Sequence, residues 1–152
     1  MGNSHVPITG GCLCGAIRFQ SDEAPVQGYY CHCTMCQRSY GGFFSATLRV
    51  PGRSFKFTKG EPKSYRSSRF ATRSFCADCG SPMPFQFDAS QDVWIKIGTL
   101  DHPEDWPMTD GAAWGPSQHT FVGSKIAWEQ LGDHLPQMQE YDNELSKFLS
   151  AT

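Results

Sequence analysis

A chain of 152 residues and 16.9 kDa accommodates one domain with at most a short tail, which excludes multidomain machinery. Fifteen glycines and ten prolines, among 39% hydrophobic and 18% charged residues, describe a turn-rich β protein. No run approaches the roughly 20 apolar residues of a membrane span, Met1 to Gly11 lacks the apolar stretch of a secretory signal, and a net charge of −2 argues against strong generic nucleic-acid binding, so a soluble cytoplasmic protein is expected.

The predicted elements begin at Ala16-Ile17-Arg18-Phe19-Gln20, which alternates apolar and polar residues as a half-buried strand does. Val26 to Cys33 carries a second strand, and Thr34 to Tyr40 reads as one or two helical turns stopped by Gly41-Gly42. Phe44 to Val50 alternates cleanly up to Pro51-Gly52, and Phe55-Lys56-Phe57 alternates after it. The short loop between them predicts adjacent antiparallel strands. Further strands are predicted at Lys63 to Ser67, Phe70 to Phe75, Met83 to Phe87 and Val93 to Gly98. Between two of them Cys76-Ala77-Asp78-Cys79-Gly80 forms a tight knuckle, with Gly80 free to take a positive φ. Gly98 to Gly115 is an ordered loop whose unusual length fits a site lining. Met138, Tyr141, Leu145, Phe148 and Leu149 recur at helical spacing and predict an amphipathic helix packed on the core. The chain thus divides into a β domain over 1–135 and a C-terminal helix over 136–152.

Charge is segregated. From Arg38 to Arg73 there are nine basic residues against the single acid Glu61, and from Cys76 onward three basic against twelve acidic. Such a block is either the solvated outer faces of strands, neutralised across the fold, or a basic rim that attracts a small anion.

Seven cysteines, an odd number in a chain read as cytosolic, point to metal rather than to a disulfide framework. They fall into Cys12 and Cys14; Cys31, Cys33 and Cys36; and Cys76 and Cys79. Each spacing lets the sulfurs converge on one ion at about 2.3 Å. Two pairs would make a closed four-thiolate site, and the triplet a second site with an open position, the arrangement of catalytic zinc. Buried structural thiols, or a structural site closed by a histidine, are the alternative for the triplet. On an extended segment His32 points opposite to Cys31 and Cys33, and is therefore not counted as a ligand.

The stretches Gly11-Cys12-Leu13-Cys14-Gly15-Ala16-Ile17-Arg18-Phe19, Cys31-His32-Cys33-Thr34-Met35-Cys36-Gln37-Arg38 and Phe75-Cys76-Ala77-Asp78-Cys79-Gly80-Ser81 resemble the family of glutathione-dependent formaldehyde-activating enzymes and centromere protein V. Weaker echoes lie at Gly98 to Asp101 and from His119 to Trp128. The resemblance implies a mainly β, small zinc-containing antiparallel fold, like those of Rab accessory proteins and methionine-R-sulfoxide reductases, with short helices. It implies a structural zinc on Cys12, Cys14, Cys76 and Cys79 and a second, catalytic zinc on Cys31, Cys33 and Cys36. The implied reaction is carbon–sulfur lyase chemistry on an adduct of glutathione and formaldehyde, run in either direction. Arg38, close after Cys36, is the candidate contact for the glutathione carboxylates, and His32 and His119 are candidate proton carriers. The competing reading is a non-catalytic zinc module whose basic middle binds a partner or nucleic acid.

Overall fold

The structure is a computed structural model that describes residues 6–109, 112, 117–141 and 146. In chain order the elements are β1 (Ile8–Gly11), β2 (Arg18–Ser21), β3 (Gln27–Cys31), α1 (Thr34–Tyr40), β4 (Ser45–Val50), β5 (Phe55–Lys59), β6 (Lys63–Arg66), β7 (Ala71–Phe75), β8 (Pro82–Phe87), β9 (Val93–Lys96) and β10 (Ser117–Thr120). The fold is mainly β, as expected. Strands β1, β2 and β5 make one antiparallel sheet in the order β1-β2-β5. The other seven form a second sheet, β10-β3-β4-β9-β8-β7-β6, antiparallel except that β10 runs parallel to β3.

The main core fills the space between the sheets with Ile8 and Phe19 from one and Leu48, Val50, Val93 and Ile95 from the other. These residues sit on the inward face of each pleat, so alternation in the sequence becomes a buried face in the fold. Trp106 and Met108, from the long loop after β9, pack against the same cluster.

The predicted pairing of Phe44–Val50 with Phe55–Phe57 does not form. Strand β4 pairs with β3 and β9, whereas β5 pairs with β2 in the other sheet. A 3-10 turn at Gly52–Ser54 redirects the chain between the sheets, and a side chain at Gly52 would collide with the Gln91 carbonyl oxygen. Phe55 then packs beside Phe19 with ring centroids 5.7 Å apart, which rewards the crossing.

Of the predicted C-terminal helix, residues 136–138 are extended and Ser146 is helical. Gln137 bridges His119 in parallel register, His119 N–H donates to the Pro136 carbonyl and Met138 N–H to the His119 carbonyl. Leu145, Phe148 and Leu149 lie outside the described residues. No helix among those described is long and apolar enough to cross a membrane.

Candidate metal centres

Two hairpin turns build the first centre. Cys12 and Cys14 lie in the turn joining β1 to β2, and Cys76 and Cys79 in the turn joining β7 to β8. The turns are alike. Gly15 N–H donates to the Cys12 carbonyl and Gly80 N–H to the Cys76 carbonyl, with both glycines at φ +77°, where a side chain would be strained. The four Sγ atoms lie within 4.8 Å of one another, with Cys12 to Cys14 at 3.6 Å and Cys14 to Cys76 at 3.8 Å. A tetrahedral ion with sulfur at 2.3 Å requires sulfurs about 3.8 Å apart, so this donor set fits zinc. Ile17 N–H donates to Cys12 Sγ, and Ser81 Oγ joins the turns by accepting from Leu13 N–H while lying 3.2 Å from Cys79 Sγ. The Ser81 hydroxyl and backbone hold the Cys79 thiol down to about 6, which favours the thiolate that a metal needs.

The second cluster sits on β3 and the start of α1. Cys31 ends the strand, and Cys33 is the helix N-cap, its sulfur accepting from Cys36 N–H at 3.3 Å. Cys36 turns back one helical step later, as the sequence spacing predicts. The three Sγ atoms lie within 4.8 Å of one another, and no fourth histidine, cysteine or carboxylate joins them among the described residues. Hydrogen bonds from Cys31 and Cys33 push the Cys36 thiol far below its ordinary value against the effect of burial, with the positive charges of Lys96 and Arg73 adding to the shift.

Those two cations are the residues that sequence reasoning missed. Arg73 and Lys96 are each only 6% exposed. Arg73 Nη2 lies 3.7 Å from Cys36 Sγ, and its other Nη donates to the Tyr40 hydroxyl. Lys96 Nζ donates to Thr47 Oγ1 at 2.7 Å and stands 4.3 Å from the Tyr40 ring centroid and 4.6 Å from that of Phe85. Burial pushes the Lys96 ammonium down to about 8. The sequence counted Arg73 with the basic block, whose exposed members behave otherwise: Arg53 pairs with Glu23, Lys56 with Asp22 and Arg66 with Asp88. The available signal was the strand period, because Arg73 shares the inward face of β7 with Ala71.

Arg38 is exposed on α1 and is not among the residues lining the cavity over the triplet. His32 and His119 are not among them either; they are fully buried and bonded to each other, His32 Nε2 to His119 Nδ1 at 2.8 Å. His119 Nε2 lies 3.0 Å from Asp133 Oδ2 and donates to it, which in the neutral ring leaves His119 Nδ1 to accept from His32 Nε2. Burial holds His32 down to about 4, so it is neutral at pH 7. Asp133 was not foreseen, because it lies fourteen residues beyond His119 in an irregular segment.

Two hairpin knuckles facing each other across two sheets, with a separate thiol triplet beneath a cavity, define a small β protein with two cysteine centres. The chain belongs to the glutathione-dependent formaldehyde-activating enzyme family, which it matches over residues 7–124. A crystal structure of a Rhodobacter sphaeroides protein is similar in fold, with 24% identity and a TM-score of 0.50 over 64% of this chain and 93% of that one.

Proposed function

We propose that the protein is a zinc-dependent carbon–sulfur lyase acting on a thiol–aldehyde adduct of the S-hydroxymethylglutathione type. The observation that carries this reading is the convergence of three thiols on one cavity, with no fourth protein donor among the described residues. On this reading Cys12, Cys14, Cys76 and Cys79 hold a structural zinc, and Cys31, Cys33 and Cys36 a second one. Zinc at the triplet supplies a position at which a substrate thiol is held as thiolate. Arg73 and Lys96 offset the excess negative charge of the thiolates in a dry site where it would otherwise be costly. The substrate thiolate attacks the aldehyde carbon; the carbonyl oxygen takes a proton, giving a hemithioacetal, and the reverse cleaves the same carbon–sulfur bond. The family description supports glutathione and formaldehyde as the pair.

The His32–His119–Asp133 chain is placed in this scheme as the brace that fixes β3 against β10, one residue from two of the three thiols. The seven thiols suit a reducing, cytoplasmic setting. The competing module reading would use the basic block, of which Arg53, Lys56 and Arg66 are already engaged by Glu23, Asp22 and Asp88. The test is adduct formation from formaldehyde with glutathione or a smaller thiol. The zinc-loaded chain should accelerate it above the spontaneous rate and Cys33→Ala should not; equal rates for every thiol would contradict the reading.

A further inference from the structure

A cavity of about 510 Å³ lies beside the first cysteine centre and, among the described residues, shares no lining residue with the cavity over the triplet. Its volume falls within the range of small-molecule sites. Lys96 and Ser45, only 6% and 4% exposed, line its wall, and Tyr40, Phe44 and Leu100 give it apolar surface. Three charged side chains belong to this wall among the described residues: Lys96, Arg18 and Asp101. Arg18 takes both carboxylate oxygens of Asp101, so these two charges cancel. Lys96 is left over.

No ion pair among the described residues includes Lys96. Of the three N–H groups of its ammonium, one goes to Thr47 Oγ1 at 2.7 Å and one to Ser45 Oγ at 3.4 Å, which leaves the third without an oxygen acceptor. The rings of Tyr40 and Phe85, with centroids at 4.3 and 4.6 Å, offset part of the charge but carry no counter-charge of their own. The triplet thiolates act on Lys96 at longer range only, since it is Arg73 that reaches Cys36 Sγ. A buried cation without an anion against it is costly, and a cavity beside it gives an anion room to enter. From this placement we infer that the cavity is a binding site for a small organic monocarboxylate: its carboxylate accepts from Lys96 Nζ, and its apolar body lies along Tyr40, Phe44 and Leu100. One unopposed cation sets the charge, because a second carboxylate would find Arg18 already taken by Asp101. This ligand is separate from the thiol proposed for the triplet, and the inference does not depend on a metal there.

The test is an amide chemical-shift titration of the zinc-loaded full chain with phenylacetate and, as its uncharged counterpart, phenylacetamide. Phenylacetate should shift Ser45, Gly98, Thr99 and Leu100. It should bind at least about tenfold more tightly than the amide, the worth of a hydrogen bond between charged partners. Lys96→Met, which puts an apolar chain in place of the buried cation, should abolish that preference, whereas Cys33→Ala should leave it in place. Equal affinities of the wild type for acid and amide would overturn the inference, and that comparison holds whether or not Lys96→Met folds. No shift with phenylacetate, or shifts confined to the surroundings of Cys31, Cys33 and Cys36, would overturn it as well.

Discussion

The two cysteine centres are built from similar ligands and differ in what surrounds them. The first joins two hairpin turns from different sheets, its sulfurs spaced for a tetrahedral ion and its backbone donors turned inward on them. It is closed, and all the information for it is local to two short turns. The second lies on a single strand end and helix start, lacks a fourth ligand among the described residues, and is flanked by a cavity and two buried cations. The contrast teaches that thiolate number decides less than surroundings: on the proposed reading the closed shell clamps the fold, whereas the open shell, with compensating charge and space beside it, carries the chemistry.

The largest effect that separates the centres should come from Cys79→Ala. Structural zinc contributes about 10–16 kcal/mol in small peptides, against about 5–15 kcal/mol for the stability of a whole domain. Cys79 is only half-buried, so lost core packing cannot account for the outcome. The variant should be unfolded or insoluble, as judged by circular dichroism, and cooperative unfolding with full zinc content would remove the clamp from the account.

At the second centre Arg73→Met should leave the fold intact and loosen the metal. A hydrogen bond to a charged group is worth about 1.5–3 kcal/mol, so release of the second zinc to a chelator should quicken by roughly ten- to a hundredfold. The first zinc should be unaffected. Parallel acceleration at both centres would show that Arg73 supports the fold generally.

A smaller effect lies in the histidine chain behind the triplet. His32 has a folded pKa lowered to about 4 from an ordinary 6.5, so between these values the unfolded chain binds more protons than the folded one. Stability should therefore fall as pH drops from 6.5 towards 4, with a slope from this group of at most about 1.4 kcal/mol per pH unit. His32→Gln should flatten the profile by that amount, while acid loss of metal affects both proteins alike. Denaturant titrations at stepped pH measure the difference; superimposable slopes would contradict the neutral, buried His32.

Much of this was legible in the sequence because its signals are local. The strand alternation, the stop of α1 at Gly41, the positive φ of Gly80 and the three-cluster spacing each depend on a few neighbouring residues. What was not legible depends on tertiary placement. Ser117–Thr120 is polar throughout, yet it is fully buried as β10, where it pairs in parallel with β3, His119 bonds to His32 and Thr120 Oγ1 donates to the Tyr30 carbonyl. The crossing of β5 to the other sheet passes through Gly52, where the Gln91 carbonyl leaves no room for a side chain, and no periodicity reports that close approach. Arg73 reads as one of a basic block and Lys96 as one residue of a predicted strand until the fold buries them beside Cys36 and Tyr40. Within the charge block Arg53, Lys56 and Arg66 are neutralised on outer faces, exposed pairs worth about 0–1 kcal/mol each.

The most direct test of the central claim, that one centre holds the fold and the other can be removed from it, is zinc content per chain by elemental analysis on the wild type and on Cys33→Ala. The account predicts two zinc ions in the wild type and one in the variant, with unchanged circular dichroism. One zinc in both proteins, or loss of the fold along with Cys33, would contradict it.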